Sequence, residues 1–158
     1  KQVIDSQRRV YGNESIELVS SLNDLALLMS STEKYIEAQS LLEEVVALVC
    51  KIQGESHQDT AAALGNLAMV YRCQTSFSAA IRMHERAVSI LEQSSHFGLD
   101  HEVTTYQRAQ MGVTYMQMGV MDKGLPTVVH SMKQLREKCH LSDTHPWMMQ
   151  LTSQISIH

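Results

Sequence analysis

The stretch GESHQDTAAALGNLAMVYRCQTSFSAAIRMHERAVSIL, residues 54–91, decides the fold, because it carries one apolar pattern twice and is itself one copy among several. From Thr60 to Tyr71, residues Ala61, Leu64, Leu67, Ala68 and Tyr71 follow the i, i+3, i+4, i+7 spacing that lines one stripe of a helix. The polar break Arg72 to Ser76 ends that stripe, and Phe77, Ala80, Ile81, His84, Ala87, Val88 and Leu91 resume it. A break this short makes the two helices, A and B, antiparallel neighbours. Ala68 and Ala80, set against Leu, Tyr and Phe, let two helix axes approach to about 8 to 10 Å.

The same unit recurs on both sides. A shift of 42 residues carries Gly12, Leu22, Leu25, Ala26, Tyr35, Ala38, Glu43 and Val46 onto Gly54, Leu64, Leu67, Ala68, Phe77, Ala80, Glu85 and Val88. A shift of 44 carries Gly54, His57, Thr60, Tyr71 and Leu91 onto Gly98, His101, Thr104, Tyr115 and Leu135. Gly112 and Gly124 then fall where Ala68 and Ala80 stood, and His145, 44 beyond His101, opens a fourth unit. A period of this size describes units that cannot bury their own apolar face and must stack on neighbours. The expected array over 1–158 has a trailing B helix at 1–11, repeats at 12–53, 54–97 and 98–141, and an opening A helix at 142–158. The two extra residues of the longer step are expected in the loop around Ser95 to Leu99.

Composition points the same way. The chain has 158 residues, 44% of them hydrophobic, with two prolines and seven glycines, which leaves room for long helices. No apolar run approaches the roughly 18 to 20 residues of a membrane span, and no charged-then-apolar leader opens the sequence. Cys50, Cys73 and Cys139 are odd in number and do not recur at the repeat period, so reducing, cytoplasmic surroundings are expected rather than a disulfide framework. A net charge of −4 with 13 scattered Lys and Arg residues argues against a nucleic-acid partner.

The unit resembles the tetratricopeptide repeat, in the 42-residue variety of kinesin light chains and their relatives. The residues that carry this are Gly54, His57, Thr60, Ala61, Leu64, Asn66, Leu67, Ala68, Tyr71, Phe77, Ala80, Met83, His84, Ala87 and Val88. Gly98, His101, Thr104, Tyr115, Gly119, Met121, Gly124 and Pro126 repeat it, as do His145 and Pro146. The resemblance implies an all-α fold, a right-handed α-solenoid of antiparallel helix pairs whose A helices line the concave side. Asn23, Asp24, Gln110 and Arg108 depart from the pattern, so recognition residues are not repeated faithfully.

Several groups of residues invite a chemical reading. His57, His101 and His145 stand at equivalent positions a whole repeat apart, which forbids convergence on one metal ion. Each falls in the first turn of an A helix, where a side chain that hydrogen-bonds free backbone groups has a structural use. Cys139, His140 and His145 are the one close set and lack an evident fourth ligand. Cys50 and Cys73 read as small apolar fillers. Among the ten methionines, Met111, Met121 and Met132 occupy core-equivalent positions, whereas Met116 lies off the core stripe. No catalytic residue, metal or cofactor is expected.

A ligand would meet the flanks of the A-helix stripe. If Ala26, Ala68 and Gly112 mark the A/B contact, the groove-facing set is Asn23, Asp24, Leu27 and Ser30; Gly65, Asn66, Met69 and Arg72; and Ala109, Gln110, Val113 and Met116. Amides at helical spacing suit the backbone of an extended peptide, and the apolar members suit its side chains. The resemblance makes Asn66 the first candidate for a backbone contact, and the basic ladder of a two-carboxylate clamp is reduced to Arg72. The expected function is non-catalytic docking of a protein or peptide by a scaffold or adaptor. The alternative is a spacer or self-associating segment that makes its contacts through ends or edges, Met149 and Ile157 among them.

Overall fold

The computed structural model describes residues 15–156, together with Ser6 and Val10, both helical. The helix expected over 1–11 otherwise lies outside the described residues, as does Ile157. Among the described residues there are seven α-helices and no strand: α1 (Ile16–Ser31), α2 (Tyr35–Gln53), α3 (Gln58–Cys73), α4 (Phe77–Gln93), α5 (Glu102–Gln117), α6 (Met121–Glu137) and α7 (Pro146–Ser156). Helices α1, α3, α5 and α7 are of the A type, and α2, α4 and α6 of the B type.

One sequence position starts every A helix. Ser15, His57, His101 and His145 are spaced 42, 44 and 44 residues apart. Ser15 Oγ accepts from the N–H of Leu18 at 3.1 Å. Nδ1 of His57, His101 and His145 accepts from the N–H of Asp59, Val103 and Trp147 at 3.2, 3.2 and 3.3 Å. Each bond satisfies a donor that the first turn leaves free. The histidine repeat is therefore a capping device. The A-to-B turns repeat just as closely: the N–H of Lys34, Ser76 and Val120 reaches back to the carbonyl of Met29, Tyr71 and Tyr115 at 2.9, 2.8 and 2.9 Å. The residue before each donor is left-handed, Glu33 at φ 61°, Thr75 at 58° and Gly119 at 87°.

Packing runs from one pair into the next. Ala26 of α1, Ala38 and Leu42 of α2, and Leu67 and Val70 of α3 form one cluster. At the far end Ala109, Val113 and Met116 of α5 pack with Val128 and Leu135 of α6 and with Met148 and Leu151 of α7. Each pair is thus closed by the following A helix, the arrangement of a solenoid. Helix α4 stops at Gln93, two positions short of the register of α2, so the linker 94–101 is twice as long as the linker 54–57. Pro126 is exposed inside α6, which runs on unbroken around it.

Ala26, Ala38, Ala68 and Ala80 are all fully buried at the A/B contacts. In the third pair Gly112 and Gly124 bring the backbones closer still. A Cβ on Gly124 would lie 2.5 Å from Met116 Cγ, 2.7 Å from Met116 N and 2.8 Å from the carbonyl oxygen of Gly112. Met121 departs from expectation: it is 38% exposed rather than core. Cys73 is exposed and fills no gap, while Cys50 is half-buried, and all three cysteines are free. Gly124→Ala should destabilise the chain by about 1 to 3 kcal/mol, because the Met116 side chain can swing aside but the backbone atoms of Met116 and Gly112 just beyond it cannot. Equilibrium denaturation checks this.

Candidate functional site

Asn23, Asp24 and Leu27 project from α1, and Asn66, Met69 and Arg72 from α3; all six keep accessible surface. Between the N-terminal halves of α1 and α3 lies a groove of about 270 Å³. Val45 and Val49 of α2 form its floor, and Ser20, Asn23, Asp59 and Asn66 its polar rim. Asn66 Nδ2 donates to Asn23 Oδ1 at 2.8 Å across it. That bond leaves an acceptor, Asn66 Oδ1, beside a donor, Asn23 Nδ2, the complement of one peptide unit.

Arg72 extends the face toward α5. Its Nη1 donates to Gln110 Oε1 at 2.9 Å. Among the described residues no carboxylate pairs with it, and burial holds its pKa below the usual guanidinium value. His84 of α4 is 2% exposed. Burial first, and then the charge of Arg72, push the His84 imidazole down to about 3. Its Nδ1 lies 3.3 Å from Gln107 Nε2, and its Nε2 is buried without a partner. Gln107 in turn rests against Gly65, where a Cβ would collide with its amide. Beyond Arg72 the face is walled by Tyr106, stacked on Trp147 with centroids 4.3 Å apart and planes 13° from parallel. The Tyr106 hydroxyl donates to Gln150 Oε1 at 2.7 Å.

The third unit's expected groove residues are corrected by this geometry. Val113 and Met116 are 1% and 3% exposed and belong to the core shared by α5, α6 and α7. Met116 is drawn in because Gly124 leaves room for it. Gln110 is 7% exposed, covered as the acceptor for Arg72. Ala109, fully buried, and Gly65, under Gln107, show that this position faces the next A helix rather than open solvent. Spacing alone could have found the residues that were missed, since Ser20, Ala62, Tyr106 and Gln150 stand 42, 44 and 44 apart and form one register across the four A helices.

These observations define the class, an all-α solenoid of repeated antiparallel helix pairs. Residues 31–93 match the model of the tetratricopeptide repeat family. Among solved structures, the chain is similar to BtubC (BKLC) from P. vanneervenii, at 21% identity and a TM-score of 0.76, over 89% of this chain and 55% of that one. It is similar also to nearly identical kinesin light chain TPR-like repeats from Podosopora anserina, at 21% identity and a TM-score of 0.76, over 99% of this chain and 72% of that one. Two curated proteins are related in sequence. The secreted RxLR effector protein RXLR-C07 of Plasmopara halstedii is 26% identical over 71% of this chain and 34% of its own length. The RxLR effector protein SFI4 of Phytophthora infestans is 29% identical over 66% of this chain and 30% of its own length. The chain thus spans about a third of the curated relatives it matches.

The buried imidazole gives a pH prediction. His84 is neutral in the fold down to about pH 3, whereas an unfolded histidine takes up a proton near pH 6.5. Its effect on stability is nil above pH 6.5 and grows more unfavourable as pH falls from there toward 3. The linkage amounts to about 3 kcal/mol by pH 4. Melting curves between pH 7 and 4 should show this loss, and His84→Leu, which copies Leu42 of the first pair, should remove most of it.

Proposed function

We propose that this chain is a non-catalytic docking module that holds an extended peptide segment of a protein partner on its A-helix face, chiefly between α1 and α3. Tetratricopeptide repeats generally serve protein interaction, and residues 31–93 match that family. The observation that carries the finer reading is the Asn66–Asn23 amide pair above an apolar floor. It offers one donor and one acceptor to a backbone unit while Val45 and Val49 lie beneath for a side chain. Asp24, Leu27 and Met69 flank the site, and Arg72, whose described partner is the neutral Gln110, adds one positive charge at its far end.

The three unpaired thiols support reducing surroundings. Among the described residues no helix is long and apolar enough to cross a membrane. The kinship with effector proteins, one of them named as secreted, supports a second context, in which such an array is the part of an exported protein that engages its target. The alternative to groove docking, contact through ends and edges, rests on the exposed stripe Met121, Leu125 and Val129 of α6 and on Met149 of α7, 58% exposed.

Selection from a displayed library of random linear peptides tests the groove. Enriched peptides should bind at micromolar affinity or weaker with a mild salt dependence, since one cation takes part. Asn66→Ala and Arg72→Ala should each weaken them by about tenfold, the size of a lost charge-assisted or amide hydrogen bond. Glu85→Gln on the exposed side of α4 should change nothing. Equal losses from Glu85→Gln would move the site off the A-helix face. No enrichment, with concentration-dependent self-association abolished by Met149→Gln, would favour contact through the ends.

A further inference from the structure

The three helix pairs differ at one matched pair of buried positions. In α1/α2 these are Val19, here only half-buried, and Val45, and in α3/α4 they are Ala61 and Ala87, which join Leu64 and Leu91 in an apolar cluster. In α5/α6 they are Thr105 and Ser131. Both are fully buried, and neither hydroxyl has a hydrogen-bond partner. Thr104 adds a third such hydroxyl, also fully buried. Its counterpart Thr60 donates to the carbonyl of Gly54 at 2.8 Å, an acceptor that the longer 94–101 linker does not supply to Thr104.

The next position along the seam is polar too. Where Leu64 is fully buried, α5 places Arg108. Its guanidinium is held by Glu92 of α4 at 2.8 Å and by the carbonyl of Leu99 at 3.3 Å. It reaches Gln134 of α6 at 3.4 Å. Beside it a crevice of about 630 Å³ opens, bounded by Arg108, Gln134, Asp100 and Lys138. At these positions, beside the apolar cluster of Val113, Val128 and Leu135, the third pair carries hydroxyls without partners and a bridged cation. An unpaired buried hydroxyl penalises the packed state, because water would satisfy it once the helices part.

We propose that α5/α6 is the yielding unit of the array: its two helices separate from one another in a local opening while α1 to α4 stay packed. Such sub-global opening is available to a solenoid because each pair contacts only its neighbours. Helix α5 carries Tyr106, Gln107 and Gln110, the partners of Trp147, His84 and Arg72. An opening in which α5 also shifts on α3 and α4 releases Arg72 and rebuilds the face beyond it, giving the groove one fixed half and one adjustable half. The device does not depend on what the groove binds.

Hydrogen exchange followed by mass spectrometry on the intact chain tests this, with the double variant Thr105→Val and Ser131→Ala. Both substitutions keep the shape of the seam and remove its hydroxyls. In the parent, amides of α5 and α6 should exchange about tenfold or more faster than those of α3 and α4. The variant should slow α5 and α6 by about tenfold or more and leave α3 and α4 as they were. Equal exchange in the two pairs of the parent would overturn the proposal. So would a variant that leaves α5 and α6 unchanged, or one that slows the whole chain uniformly.

Discussion

Everything in this chain depends on the closeness of the A/B contact. Ala26 and Ala38, Ala68 and Ala80, and Gly112 and Gly124 put the smallest side chains where two helices cross, and all six are buried. A larger residue there would force the helix axes apart and loosen the contacts of Leu22, Leu64, Leu42 and Leu67 on either side. The contact also sets the next level, because each core cluster borrows residues from the following A helix. The A-helix face is consequently a surface of side chains at repeat spacing, and the Asn23–Asn66 and Arg72–Gln110 bonds each link neighbouring A helices across it.

Much of this was legible in the residues. Periodicity and repeat offset placed the helix pairs because they depend on a stripe of apolar spacing that any solenoid must bury. The capping role of His57, His101 and His145 followed from their place at the first turn. The third unit's groove residues were not legible, for a geometric reason. One residue along a helix turns a side chain by about 100°, so spacing reveals a buried stripe but not which of its flanks meets a neighbouring helix. Asn23, Asp24 and Leu27 keep accessible surface on α1, whereas Val113 and Met116 are sealed by α6 and α7. Met121 sits at a core-equivalent position but is 38% exposed.

Departures from the repeat consensus mark where the array ceases to be uniform. His84 stands where the flanking pairs have Leu42 and Val128, both fully buried, and brings a neutral imidazole and the Gln107 contact into the seam between α4 and α5. Arg108 replaces a core leucine and ties the longer linker down through Glu92 and the Leu99 carbonyl. Tyr106 stands where the earlier A helices have Ser20 and Ala62, Trp147 stands where they have Glu17, Asp59 and Val103, and the two rings wall the face beyond Arg72. The groove is thus open along the first two pairs, while the third adds buried hydroxyls and a bridged cation to its apolar cluster. A docking module with a firm half and a compliant half follows from those substitutions.

The most direct measure of the account is a double-mutant cycle at the second A/B contact, read by equilibrium unfolding of Ala68→Leu, Ala80→Gly and the two together. If the crossing distance is set there, the added bulk at 68 is partly accommodated by the methyl removed at 80. The double variant should then be more stable than the sum of the single changes predicts, by about 0.5 to 3 kcal/mol. Strict additivity would mean that the two positions do not touch and would contradict the register on which the whole structure is read.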